Sequence, residues 1–282
     1  MVMSMNSDLS AKGKKRLREE GEEKEGGGGQ VIESETSDTD RHILSLAESL
    51  TFSDTLVALR MMRDQFPRID KVSIQPFILC SQLYSSVKDR TQVDRELESL
   101  RRDKVLRIFK LNTGQDDHAI MFLDDYLSQI ECVVKRMKQK KQDALEVFEW
   151  FRLYVIYTKL EPSIGHQELC LLLSHGGKVM DEHISLLINA GLLTRQLIDS
   201  SMYWFAIPSI GSVLKGLSQG RKELLSLLHR RRYKEMMLAP LEKKRLRLSP
   251  LDMRFHLRDL IGSGHLQTVP TPTGLVVRAT KD

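Results

Sequence analysis

Three stretches of this 282-residue chain repeat one transition. LRRDKVLRIFKL from Leu100, LINAGLLTRQL from Leu187 and LIGSGHLQTV from Leu260 each end a helical pattern on a leucine and place a second leucine six residues later, at 106, 193 and 266. The second leucine opens a strand-like run. A polar or Pro/Gly turn follows, then an answering run: AIMFL at 119–123, YWFAIP at 203–208 and GLVVRA at 274–279. Gly191 and Gly264 fall where each helix must turn sharply, through the left-handed backbone region that glycine enters without steric cost. A helix feeding a two-stranded ribbon, three times at equal spacing, fits three tandem helix-helix-helix-hairpin modules, the winged-helix variant of the helix-turn-helix. The expected class is mainly α with small β-hairpins (α+β). A disordered tail at 1–39 precedes winged helices at 40–132, 142–208 and 209–282, and a basic linker, KRMKQKK, occupies 135–141.

The tail is charged, glycine-rich and nearly devoid of apolar residues, so it has little to bury. Within it Lys14, Lys15, Arg16 and Arg18 form a cluster of the nuclear-localisation type, which is equally what a merely solvated tail contains. Helical periodicity begins after Asp40 with Ile43, Leu46, Ala47 and Leu50 on one face. A second helix is expected at 74–87, and a third, opened by Asp89, carries Val93, Leu97 and Leu100 as its apolar stripe.

Charge is unevenly distributed. The whole chain carries +5, yet residues 215–258 hold thirteen Lys or Arg against four acids, which is +9 and leaves −4 for the remainder. That asymmetry is expected of a polyanion-binding surface. On a helix spanning 213–237, at ~100° per residue, Leu214, Leu217, Leu224, Leu225, Leu228 and Met236 form the buried arc. Lys215, Lys222, Arg230, Tyr233 and Lys234 then face outward, with Glu223 the only acid among them, while Arg231 and Arg232 flank the stripe. Lys243, Lys244, Arg245 and Arg247 follow in the connector EKKRLR, and Arg221 is counted with the same basic surface. Cations without i,i+4 acid partners are poorly explained as helix solubilisers. As phosphate contacts they release counterions and confer affinity with little base preference. The third helices of the other two modules differ: Arg90, Arg95, Arg101 and Arg102 are mixed with Glu96 and Glu98, and the second module's helix begins with Asp181 and Glu182, which suit protein contacts better than phosphate.

Catalytic motifs are missing: there is no GxGxxG, no P-loop, no HExxH and no nucleophile elbow, and HLRD at 256–259 lacks the spacing of a kinase catalytic loop. No catalytic residue, metal site or cofactor is expected. Cys80, Cys132 and Cys170 are widely spaced and odd in number, which argues against a disulfide framework and for a reducing compartment. Apolar runs such as 153–157 are far shorter than the ~20 residues that span a bilayer, so no membrane association is expected.

ILCSQLYSSVKDRTQVDRELESL at 78–100, LINAGLLT at 187–194 with YWFAIP, and GRKELLSLLHRRRYKEMML at 220–238 followed by HLRDLIGSGHL at 256–266 resemble the serine/threonine-protein kinase 19 family over about 42–282. The resemblance implies a nuclear protein of three tandem winged helices that binds double-stranded DNA and serves transcription-coupled nucleotide excision repair at a stalled polymerase, its kinase name being historical. It implies DNA contacts at Lys215, at 230–232, and at Lys244 and Arg245, and it departs from the family pattern at His229, where a permanent charge is expected. Repair and transcription proteins are the expected partners of the first two modules, with self-association left open. Two other readings stand beside it: a protein kinase, as the family name has it, and a protein-interaction module without DNA affinity.

Overall fold

Each leucine repeat folds into the same order of elements, the second with one additional leading helix, and one of those elements, a short strand ahead of the next helix, has no counterpart in the sequence reading. The computed structural model describes residues 54–69, 72–87, 89–113 and 117–280. The tail, its basic cluster and the helix expected at 43–50 lie outside the described residues. The first module comprises α1 (Asp54–Asp64), β1 (Ile78–Leu79), α2 (Cys80–Ser86), α3 (Arg90–Arg102), β2 (Leu106–Lys110) and β3 (His118–Phe122). The second begins with α4 (Leu123–Gln139) and α5 (Glu146–Trp150), which runs on as a π-helical turn over Phe151–Ile156. It continues through β4 (Ser163–Gly165), α6 (His166–Ser174), α7 (Asp181–Asn189), β5 (Leu193–Arg195) and β6 (Met202–Phe205). The third is α8 (Gly211–His229), β7 (Glu235–Met237), α9 (Leu238–Glu242), α10 (Met253–Gly262), β8 (Leu266–Thr271) and β9 (Gly274–Ala279).

All three sheets are antiparallel and three-stranded, ordered first, third, second. Ile78 pairs with Ile120, Ile164 with Tyr203 and Met236 with Val277. The expected hairpins are present. The extra strands are only two or three residues long, too short to display the alternation that marks a strand in sequence. This is an α+β chain of winged-helix type.

The helix-to-strand turn is the same in each repeat. The fourth residue after the helix leucine has positive φ: Lys104 at 58°, Gly191 at 77° and Gly264 at 84°. Val105 N donates to Leu100 O at 2.9 Å and Leu192 N to Leu187 O at 3.0 Å, the long-range bond of a Schellman motif. In this way the last carbonyls of the helix are satisfied as the chain reverses, and leucines 106, 193 and 266 enter the core fully buried.

Helix α4 passes through the boundary expected at 132 and takes in most of the linker expected at 135–141. Asp124 and Asp125 favour its N-terminus, and Tyr126, Ile130, Val133 and Met137 form a buried stripe at i, i+4, i+7 and i+11.

The modules are fastened to one another by buried polar contacts. Between the first and second, the Arg107 guanidinium donates through Nη1 to the carbonyls of Ile156 (2.7 Å) and Lys159 (2.9 Å) and lies 4.4 Å from the Phe205 ring centre. Between the first and third, α2 crosses α10 at very close range. Gly262 abuts the Ser81 carbonyl so tightly that a Cβ would overlap it. Gln82 Nε2 donates to Phe255 O (3.1 Å), Arg90 Nη2 donates to Gly262 O (3.0 Å), and Phe66, Phe77 and Phe255 cluster with ring centres 5.2–6.1 Å apart.

Candidate nucleic-acid interface

Helix α8 buries Val213, Leu217, Leu224 and Leu228 along one face, at i, i+4, i+11 and i+15, and so turns Lys215 and Lys222 outward. It is shorter than the 213–237 helix the periodicity predicts. It ends at His229, whose Nδ1 lies 2.8 Å from Leu225 O, and Arg230 is its C-cap. Residues 231–234 form a turn, Lys234 takes a left-handed φ of 51°, and the chain enters β7. The reason is sheet closure: Lys234 O accepts from Ala279 N at 3.0 Å, and Glu235–Met237 then pair with β9. Met236 therefore reaches the core from a strand. Arg230, Arg231, Arg232 and Lys234 project from an exposed turn instead of one helical face, and the Arg232 guanidinium stands 5.2 Å from the centre of the Tyr233 ring.

The connector after α9 carries Lys243, Lys244, Arg245 and Arg247, all exposed except the half-buried Lys244. Glu223 reaches it from α8. Its carboxylate accepts from Arg247 N (3.1 Å to each oxygen) and from Leu248 N (3.0 Å).

The other three acids of the basic segment are likewise engaged away from these cations. Glu235 pairs with Arg278 (2.7 Å), Glu242 lies 4.0 Å from Arg254, and Asp252 caps α10 by accepting from Phe255 N (2.8 Å). Among the described residues, no carboxylate pairs with Lys215, Lys222, Arg230, Arg231, Arg232, Lys234, Lys243, Lys244 or Arg245. A helix side, a turn and a connector of the third module thus each present cations without carboxylate partners among the described residues, the kind of side chain that can neutralise phosphates.

Arg221 belongs elsewhere. Its guanidinium donates to Asp259 through Nε (2.6 Å) and Nη2 (2.9 Å), and to Asp117 of the first module through Nη1 (2.8 Å) and Nη2 (3.3 Å). Burial opposes its charge, but the two carboxylates outweigh that and raise its pKa. Burial pulls Asp117 upward, yet bonds from Arg221 and Thr113 hold its carboxyl below the usual range. Asp259 is fully buried and also accepts from Ser81 Oγ at 2.6 Å. Arg221 is a fastener between modules, and its removal from the basic surface corrects the sequence reading.

Helix α10, the third helix of the third module, is itself withdrawn from the surface. Met253, Phe255, His256, Leu257, Asp259, Leu260 and Gly262 are buried, with Phe255, Asp259 and Gly262 against the first module and the others within the third, while Arg254 stays exposed. The sequence holds little signal for this: MRFHLRDLIG carries Arg254, His256, Arg258 and Asp259 among its apolar residues and reads as an ordinary amphipathic helix. In the other modules α3 balances its own charge, with Glu98 bonding Arg101 (2.8 Å) and Arg102 (2.9 Å), while α7 exposes Asp181 and Glu182 at its N-terminus. Among the described residues, no group of three His, Cys, Asp or Glu comes together to hold a metal ion.

Residues 42–279 match the family described as inactive serine-threonine protein kinase 19. Three relatives share the name winged helix repair factor 1. The Xenopus laevis protein is 31% identical over 221 residues, covering 77% of this chain and 80% of its own length. The human protein is 30% identical over 228 residues, covering 78% and 84%. The Dictyostelium discoideum protein is 27% identical over 267 residues, covering 83% and 66%.

Proposed function

Because this chain belongs to the inactive serine-threonine protein kinase 19 family, we propose that it is a nuclear scaffold that grips double-stranded DNA by its phosphate backbone and acts in transcription-coupled nucleotide excision repair, joining the stalled polymerase to repair proteins. A repair-related winged-helix role agrees with the relatives' shared name, and the family's description as inactive agrees with a non-enzymatic one. The observation that carries the reading is electrostatic: nine cations of the third module have no carboxylate partner among the described residues, while all four acids among them are engaged by backbone amides or by other arginines. Lys215, Lys222, the turn at 230–234 and the connector at 243–245 are the contacts. With most of α10 buried, few side chains of the module's third helix are left to read base edges, which favours weak sequence preference. The first two modules serve protein partners. The acidic end of α7 and the fully exposed Leu197 and Ile198 of the second wing support that division.

The test is fluorescence anisotropy of labelled duplex titrated with the full chain across a range of salt. Engagement of six phosphates gives a slope of log K against log salt near about −5. A variant with Arg230, Arg231, Arg232, Lys244 and Arg245 changed to Glu loses binding. Equal binding by both proteins, or one duplex preferred a hundredfold over scrambled sequences, sinks the reading.

A further inference from the structure

We infer that Glu223 is a positioning residue for DNA binding: it strengthens the grip on phosphate by clamping the basic connector beside α8, although it carries the wrong charge for that surface. The inference rests on the DNA-binding reading above. A carboxylate among phosphate-contacting cations opposes a polyanion by simple Coulomb repulsion. In this structure, however, both of its oxygens are turned onto two successive backbone N–H groups, Arg247 at 3.1 Å and Leu248 at 3.0 Å. The connector needs that hold. Residues 243–250 form no helix or strand, and Lys244 N, bonded to Leu241 O at 3.0 Å, still belongs to the end of α9. Beyond it Leu246 packs on the third core, and the Ser249 hydroxyl meets His256 Nε2 at 2.8 Å. Between those anchors Glu223 is the clamp that fixes how Arg245 and Arg247 lie relative to Lys222. A preorganised row of cations binds without first having to order a loop, whereas a loose one loses part of its affinity to that ordering.

Two effects of removing Glu223 oppose each other, and their signs separate the readings. Loss of one negative charge alone tightens DNA binding; loss of the clamp weakens it. For the full chain, Glu223→Ala is expected to bind duplex about threefold to tenfold more weakly, with a salt slope shallower by about one to two as connector contacts are lost. Glu223→Gln keeps an acceptor oxygen and discards the charge, so it binds at least as tightly as the wild type. When Lys243, Lys244, Arg245 and Arg247 are all alanine, Glu223→Ala causes no further loss. Limited trypsin digestion adds a readout that needs no DNA: cleavage at 243–247 accelerates in Glu223→Ala and not in Glu223→Gln. Tighter or unchanged binding by Glu223→Ala with an unaltered slope, or equal trypsin sensitivity in all three proteins, overturns the inference while leaving the DNA-binding reading intact. Absence of duplex binding by the wild type removes both.

Discussion

Lys104 holds the place in the first repeat that Gly191 and Gly264 hold in the others, with φ of 58°. A side chain in the left-handed region costs about 1–2 kcal/mol, and the added freedom of glycine in the unfolded chain takes back part of that. Lys104→Gly is therefore expected to stabilise the protein by about 0.5–1 kcal/mol in urea denaturation, with Lys104→Ala giving no gain. His256 presents a different case. Burial pushes its pKa down to about 4, its Nε2 lies 2.8 Å from Ser249 Oγ, and Gly220 leaves room for the ring. The folded pKa lies below the unfolded value of about 6.5, so the neutral ring contributes stability that is complete above that value and is lost as pH falls toward the folded pKa. By pH 5 this one group should remove about 2 kcal/mol, and His256→Gln should flatten that part of the pH dependence of urea unfolding. These residues also mark how far the sequence could be read. The equivalence of Lys104 with two glycines emerges by laying the three repeats over one another. The neutral state of His256 does not, because it depends on a hydroxyl and a glycine brought against it by packing.

At the scale of elements, the leucine spacing was legible because it is local: a helix end, its turn and the following strand lie within ten residues. The short opening strands were not, and their absence from the reading had a consequence. Without β7, the periodicity carried α8 on to 237 and placed the arginines on a helix face, when strand pairing with β9 in fact ends the helix at His229. Close crossing of α2 and α10 was also hidden, since nothing in either helix names the other. The Gly262 contact makes that crossing testable. Gly262→Ala forces a methyl into the Ser81 carbonyl and is expected to cost at least about 3 kcal/mol in urea denaturation. Gly264→Ala, whose Cβ meets open space, strains only the backbone at φ 84° and should cost about 1–2 kcal/mol.

Taken as a whole molecule, the described chain depends on a few long-range polar fasteners. Arg221 meets Asp117 across 104 positions of sequence and Asp259 across 38, which no local pattern encodes, so in the sequence its charge is indistinguishable from that of its surface neighbours. Arg221→Ala leaves the buried Asp259 without its counter-charge and should cost about 3–5 kcal/mol. Under conditions where that variant stays folded, its DNA salt slope should match the wild type, which a phosphate contact would not allow. An isolated third module, residues 209–282, exposes Phe255 and the Asp259 carboxylate that the first module covers. It should therefore bind a hydrophobic dye and melt without cooperativity, where the full chain melts as one unit.

Burial of α10 has a kinetic consequence under the DNA-binding reading. With few side chains of α10 free to enter a groove, successive steps along the duplex differ little in energy, so the protein can slide over long distances before any sequence holds it. Where it comes to rest is then decided by whatever its first two modules hold: the address is carried by the protein partner, and the third module keeps the complex on its track.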